Sequence, residues 1–365
     1  MLKIGIVKKI VKLVNGVYRY NIKSRYQRLN PRSLMINLTY LCNSRCVMCN
    51  IWKMKPKNEL TYDDWVEVMK ESIFKDIRNL TISGGEPLLF KDYVKSVKLF
   101  IDSMPRLKQL MINSNGFMTN KLVADMKEIS KYCQQKGILL GANISIDGVA
   151  DVHDSIRRIK NGFDKSAATV VRYKKLAKKY GFNVTVSSLL LRQNIDRYQE
   201  FVEWLKKTKT QGSFQIVGFH KTFLNKKETE KDLNINSKVI GIFLKVLKAI
   251  RNSKDTDDIS RYYWEDMINM YENGGVRMTP CSFLYDDFVI DSLGDVYYCL
   301  SVKPIGNFVK EKRSIVEIYN DPKNIEFRKN LSITACKKCN SGCDVRNAII
   351  FDFKHYIKFK LTGKL

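Results

Sequence analysis

Six times between residues 34 and 253 a short apolar run gives way to a longer stretch with helical periodicity. The runs are Leu34–Leu41, Asn79–Ser83, Gln109–Asn113, Leu139–Ile146, Asn183–Leu191 and Ser213–Gly218. Strands separated by helices in series are joined by crossovers, and crossovers make them parallel. The fold class this predicts is α/β, with a parallel sheet that is either open or curled into a barrel. In both forms the chemistry belongs at the carboxyl ends of the strands.

Local signals support the helices. Thr61 with Asp64 three residues on reads as a capping box ahead of Trp65, Val68, Met69 and Ile73. Thr119 precedes the stripe Leu122, Met126, Ile129, Cys133, which stops near Gly137, so Cys133 belongs to the core. Beyond residue 254 the character changes. Polar Asn252–Ser260 reads as a linker, Arg261–Glu272 as a helix, and Phe288–Asp291 with Asp295–Cys299 as a hairpin turning at Ser292–Gly294. The expected organisation is a basic amphipathic segment over 1–33, the parallel α/β domain over 34–253, a cysteine-rich α+β subdomain over 254–350 and a basic tail over 351–365.

Lys8, Lys9 and Lys12 interrupt the first apolar stretch, and no 18-residue apolar run occurs, so no membrane span is expected. The expected compartment is the reducing cytoplasm, where clustered cysteines bind metals or react instead of pairing. Nine cysteines in 365 residues are in any case too few for a disulfide scaffold. His153, His220 and His355 are too far apart for a zinc-protease helix motif.

The strongest motif is Cys42-Asn-Ser-Arg-Cys46-Val-Met-Cys49, just past the first strand. Three thiolates in one short loop can converge on one centre. Four would close a [4Fe–4S] cube, whereas three leave one iron open to a ligand. A structural zinc site lacking its fourth ligand remains the alternative. Three further strand ends are polar and glycine-containing: Ser83-Gly84-Gly85-Glu86-Pro87, Asn113-Ser114-Asn115-Gly116 and Ser145-Ile146-Asp147-Gly148. Paired glycines allow backbone to approach a ligand, and Glu86 can accept from an ammonium group.

Together these motifs resemble the radical S-adenosylmethionine superfamily, over roughly Leu34 to Gly218. The resemblance implies a partial (β/α)6 barrel whose cluster, held by Cys42, Cys46 and Cys49, binds S-adenosylmethionine at its open iron. It implies reductive cleavage to a 5′-deoxyadenosyl radical that takes a hydrogen atom from substrate. It also implies that Gly84, Gly85 and Glu86 hold the methionine amino end and that Asn115, Ser145 and Asp147 line the site. Arg157 or Arg158 would meet the carboxylate, and Leu189–Leu191, above all Leu191, would lie against the adenine. Met48 stands where this family usually has an aromatic residue.

A second cysteine set follows. Cys281, Gly294, Cys299 and the run Cys336-Lys-Lys-Cys339-Asn-Ser-Gly-Cys343 resemble the SPASM/twitch appendage, which holds auxiliary [4Fe–4S] clusters. A full SPASM region has seven cysteines, and this one has five. The resemblance therefore implies one auxiliary cluster on Cys281, Cys299, Cys336 and Cys339, with Cys343 a spare or a substitute. A zinc knuckle is the other reading.

Charge adds a partner question. Net charge is +27, and thirteen Lys/Arg precede the first acidic residue, Glu59. Residues 2–14 form a plausible amphipathic helix, and half of the nine basic residues before Leu34 would attract an anionic surface by about 4–5 kcal/mol. That suffices only for weak, reversible membrane-surface docking. No nucleic-acid signature is present. The implied partners are an external one-electron reductant such as flavodoxin or ferredoxin and a small polar substrate, a carbohydrate or carrier-linked molecule. A peptide-modifying maturase is the runner-up, and a non-catalytic iron–sulfur or zinc protein is the alternative from another class. His220, after the sixth strand, is the one acid–base candidate.

Overall fold

The computed structural model describes residues 14–26, 29–218, 239–279, 281–342 and 353–363, with residues 11 and 235. His220, Cys343 and most of the 2–14 segment lie outside the described residues. The chain divides into two compact units, Met1–Asn30 with Asn236–Asp287 and Glu326–Leu365, and Pro31–Ile235 with Phe288–Ile325.

The unit containing Pro31–Ile235 is built on an open sheet of nine strands in the order β6-β5-β4-β3-β2-β1-β7-β8-β9. Strands β1 (Ser33–Thr39), β2 (Asn79–Gly84), β3 (Gln109–Ser114), β4 (Leu139–Ser145), β5 (Asn183–Leu190) and β6 (Gln211–Ile216) run parallel to their neighbours. Each lies within two residues of the run read from sequence, and the α/β expectation holds in its unclosed form.

The crossovers carry helices α1 (Tyr62–Val68), α2 (Tyr93–Ser103), α3 (Thr119–Lys136), α4 (Asp151–Arg157), α5 (Gly162–Tyr180) and α6 (Tyr198–Thr208). The Thr61–Asp64 capping box forms in both directions, Thr61 Oγ1 accepting at 3.2 Å and the Asp64 carboxylate at 2.8 Å. α1 then stops at Val68, and Ile73 lies in a separate 3-10 turn. Thr119 is the first residue of α3 and not its cap; its hydroxyl donates to the Lys165 carbonyl at 3.2 Å. α3 ends as expected at Gly137, in the left-handed conformation with φ +67°.

The two faces of the parallel strands differ. Leu34, Ile36, Leu38, Leu80, Ile82, Leu110, Ile112, Leu140, Ile144 and Val186 alternate onto one face, all buried. Register puts Met35 beside Thr81, Thr81 beside Met111 and Met111 beside Gly141 on the other face. That face continues with Asn37, Ser83, Asn113, Asn143, Ser145, Thr185, Ser187, Gln211, Ser213 and Gln215. Its amides and hydroxyls are cross-linked: Asn143 Nδ2 donates to Asn113 Oδ1 at 3.0 Å and to Ser187 Oγ at 2.9 Å, and Thr185 Oγ1 donates to Asn143 Oδ1 at 3.2 Å. None of the six strands contains a charged residue. Parallel strands are usually apolar on both faces, so a polar face has a use other than packing.

The expected hairpin forms from β7 (Asp287–Asp291) and β8 (Asp295–Tyr297), with Gly294 in the turn at φ +84°. It extends this same sheet beside β1. Glu59 fastens it there, accepting from the Tyr40 N–H at 2.6 Å, the Thr39 hydroxyl at 2.8 Å and the Ser292 hydroxyl at 2.6 Å.

The other unit contains α7 (Ile240–Asn252), α8 (Asp258–Asn273) and the C-terminal helix Phe353–Thr362. Asp257 caps α8 through the Ile259 and Ser260 N–H groups, which shortens the expected linker. In the basic tail, Tyr356 and Phe359 pack on Tyr262. Among the described residues no helix is long and apolar enough to cross a membrane.

Candidate active site

The loop after β1 carries the first three cysteines. Cys46 is buried, and Cys42 and Cys49 are half-buried. The carboxyl end of α4 braces this loop. The Arg45 N–H donates to the Arg157 carbonyl at 3.3 Å and the Val47 N–H to the Ile156 carbonyl at 2.9 Å. Ser44 Oγ donates to the Arg157 carbonyl at 3.1 Å and lies 3.0 Å from the Cys46 sulfur. Met48 and Leu191 share an apolar cluster with Cys46, Val152, Ile156 and Val217, with Leu189 and Cys49 packed against it. Both side chains are buried there, Met48 3% and Leu191 0% exposed.

Burial pushes the Cys42 thiol up to about 12 and the Cys49 thiol up to about 11, and nearby sulfurs add to this. Thiols so placed keep their protons until a cation displaces them, as metal ligation does. Beside them, Cys42, Asn43, Arg45, Trp52, Lys53 and Lys55 line a cavity of about 620 Å³. The Trp52 indole N–H there is buried without a hydrogen-bond partner among the described residues.

The paired glycines also serve the packing of the cysteine loop itself. A Cβ on Gly85 would lie 2.1 Å from the Leu41 carbonyl oxygen, and one on Gly84 would lie 2.5 Å from that of Thr39. Both faces are therefore turned to the backbone leading into Cys42. The Gly85 and Glu86 N–H groups bond the Thr39 and Leu41 carbonyls at 2.7 and 2.8 Å. What the glycines permit is close contact between the turn after β2 and the cysteine loop.

Glu86 is buried, and burial pushes its carboxyl up to about 7 despite hydrogen bonds that favour the charge. It accepts from the Asn115 N–H at 2.8 Å, the Ser114 hydroxyl at 3.1 Å and the Leu88 N–H at 3.4 Å. A carboxylate has about four acceptor sites, so room remains for one more donor. Asn115 also reaches the cysteine loop, donating from Nδ2 to Asn43 Oδ1 at 2.7 Å.

Asp147 and Arg157 form an ion pair at 2.5 Å, with side chains 0% and 12% exposed. The other Asp147 oxygen accepts from the Leu189 N–H at 2.9 Å, and its own N–H donates to His153 Nδ1 at 3.1 Å. Asn194 closes the corner, donating to the Asp147 and Leu189 carbonyls at 2.7 and 2.8 Å and accepting from the Leu191 N–H. Arg157 Nη1 lies 3.7 Å from the Cys46 sulfur, within hydrogen-bond reach for sulfur. The Asp147 and Cys46 charges hold the Arg157 proton despite burial. Both Asp147 oxygens are therefore engaged within the protein, and Arg157 faces Cys46. Ser145, at the end of β4, is half-exposed beside Ser187.

Of the C-terminal cysteines, Cys281, Cys336 and Cys339 belong to the unit with α7 and α8, and Cys299 to the unit with the sheet. Arg277, four residues before Cys281, is 8% exposed, and its Nη2 has no partner among the described residues. An orphaned guanidinium N–H beside thiols fits a site that is completed by an anionic sulfur group. Sequence reading missed Arg277, Asn43, Ser44, His153 and Asn194. Only the closeness of Asn43, Ser44 and Arg277 to cysteines in the chain could have pointed to them.

These motifs and their placement define an iron–sulfur protein of the parallel α/β class. Residues 36–205 match the Radical SAM superfamily, and residues 281–340 match the SPASM iron–sulfur cluster-binding domain. The chain therefore carries a Radical SAM domain, whose cofactors are the [4Fe–4S] cluster and S-adenosylmethionine, and a SPASM region. It is 29% identical over 174 residues to the sporulation killing factor maturation protein SkfB of Bacillus subtilis, covering 47% of this chain and 39% of SkfB. It is 24% identical over 218 residues to a probable GTP 3′,8-cyclase of Archaeoglobus fulgidus, covering 56% of this chain and 67% of that protein. The match to SkfB thus spans well under two thirds of that relative. The fold is shared with Streptococcus suis SuiB bound to S-adenosylmethionine, at TM-score 0.58 and 15% identity over 93% of this chain and 78% of SuiB. It is shared also with anSMEcpe with bound AdoMet, at TM-score 0.56 and 17% identity over 92% and 100% of the two chains.

Proposed function

We propose that this chain reductively cleaves S-adenosylmethionine and abstracts a hydrogen atom from a small, polar molecule such as a carbohydrate, oxidising or rearranging it. Cys42, Cys46 and Cys49 would hold the catalytic [4Fe–4S] cluster. Bound there, the cluster supplies the electron, delivered by an external flavodoxin- or ferredoxin-type reductant, and the cofactor supplies the abstracting radical. The remaining acceptor site of Glu86 suits the cofactor's ammonium group, and Arg157 orders the Cys46 corner. Cys281, Cys299, Cys336 and Cys339, with Cys343 as a possible substitute, would hold one auxiliary cluster.

The observation that carries the substrate class is the uncharged polar face of β1 to β6. Asn, Ser, Thr and Gln offer both donors and acceptors, which match hydroxyl groups. A polyphosphate lying on that face would meet no cation. The basic cavity at Arg45, Lys53 and Lys55 would admit one anionic group, which accommodates a carrier-linked form. A second reading is a peptide substrate. It is favoured by the likeness to SkfB, a maturation protein, and to SuiB bound to precursor peptide SuiA.

The test is anaerobic turnover with deuterated cell extract split into neutral, anionic, cationic and peptide fractions, following label into 5′-deoxyadenosine. Label from the neutral or singly anionic small-molecule pool is expected. Label confined to the peptide pool would replace the first reading with the second.

A further inference from the structure

Arg277 is tied by its backbone and its side chain to the segments that carry Cys281, Cys336 and Cys339. Its backbone N–H donates to the Lys337 carbonyl at 2.9 Å, and Nη1 donates to the Ser341 carbonyl at 2.7 Å. Nε turns back on its own segment, to the Thr279 carbonyl at 2.8 Å and hydroxyl at 3.1 Å. From the other side the buried Asp266 carboxylate holds the Met278 N–H at 3.0 Å and the Thr279 N–H and hydroxyl, each at 2.6 Å. The segment leading to Cys281 is thereby clamped to the turn that carries Cys336 and Cys339.

Nε and Nη1 both reach backbone carbonyls, Nη1 also that of Cys339 at 3.5 Å, whereas Nη2 has no hydrogen-bond partner among the described residues. A buried N–H left unmade is costly, so a well-formed site is expected to supply its acceptor. Cys281 and Cys339 lie close enough to Arg277 that their charge, once they ligate a cluster, would favour the guanidinium against the effect of burial.

We propose that Arg277 is a positioning residue of the auxiliary cluster: it locks Cys281 against the Cys336–Cys339 turn and donates from Nη2 to a sulfur of the bound cluster, favouring the reduced form. The inference rests on the reading that the SPASM region of this chain holds a cluster. A cation and an N–H donor beside a cluster stabilise the added electron, so losing them makes reduction harder.

The experiment uses full-length chain in which Cys42, Cys46 and Cys49 are all replaced by Ala, leaving the auxiliary cluster as the sole signal. Iron and sulfide are counted after anaerobic reconstitution, and the midpoint potential is read by electron paramagnetic resonance during redox titration. Arg277→Gln should load iron and shift the reduction equilibrium about tenfold toward the oxidised form, ~59 mV downward for one electron. Arg277→Lys, which keeps the charge and loses the fork, should shift it less. An unchanged midpoint in a fully loaded Arg277→Gln protein would overturn the inference. If Arg277→Gln fails to load, Arg277→Lys decides: a lowered midpoint supports the proposal and an unchanged one overturns it. A parent triple variant that binds no iron instead overturns the cluster reading itself.

Discussion

Replacing Arg157 by Met removes the cation from a corner that cannot rehydrate. Asp147 has no exposed side-chain surface, and its pair with Arg157 is at 2.5 Å. After the substitution its carboxylate keeps the Leu189 N–H at 2.9 Å but loses its countercharge. Breaking a buried pair by removing one partner costs about 3–5 kcal/mol, because the other charge is stranded. Arg157→Met/Asp147→Asn should recover most of that loss, since Asn can still accept from the Leu189 N–H and no charge remains. Its cost should fall to roughly 1–2 kcal/mol, that of the lost hydrogen bonds. The assay is urea unfolding of the metal-free chain under reductant, followed by tryptophan fluorescence. Three of the four tryptophans, Trp52, Trp65 and Trp204, lie in the unit that contains the pair. A cost below about 1 kcal/mol for Arg157→Met would refute the reasoning, as would a double variant no more stable than the single one.

Gly85→Ala places a methyl 2.1 Å from the Leu41 carbonyl oxygen, a backbone atom that no rotamer change can move. The turn should shift by about 1 Å and weaken two hydrogen bonds, costing roughly 1–3 kcal/mol and lowering iron retention in gel-filtered, reconstituted protein; unchanged stability and iron content would contradict the close-contact role. Burial, helped by the Arg157 charge, holds the His153 imidazole down to about 4. Between about 6.5 and 4 the unfolded chain takes up a proton that the folded one refuses, so the stability His153 contributes is complete above pH 6.5 and lost as pH falls toward 4. The loss is roughly 3 kcal/mol, and His153→Gln should flatten the urea-midpoint profile over that range; an unaltered slope would show that His153 is accessible to protons.

The parallel sheet was legible because apolar alternation is written locally. Val186 and Leu190 on one face and Thr185 and Ser187 on the other mark β5 without tertiary information. The cysteine loop was legible for the same reason, its three cysteines falling within a run of eight residues. The pairings across the site were not. Nothing near Asp147 in sequence says that Arg157 will bridge it to Cys46, since that depends on α4 returning its carboxyl end to the β1 loop. The glycines were seen, but their service to Leu41 and Thr39 needs the register of β1 against β2. Thr119 looked like a cap because its chemistry suits one; the Lys165 carbonyl took its hydroxyl instead. Arg277 was missed because, beyond its closeness to Cys281, one arginine in a lysine- and arginine-rich chain carries little signal until its burial is known.

The most direct test of the whole account is consumption of S-adenosylmethionine by the anaerobically reconstituted chain under dithionite, with 5′-deoxyadenosine quantified by mass spectrometry. The account expects methionine and 5′-deoxyadenosine in equal amounts from the native chain and none from Cys46→Ala. A fully iron-loaded native chain that leaves the cofactor intact would contradict it.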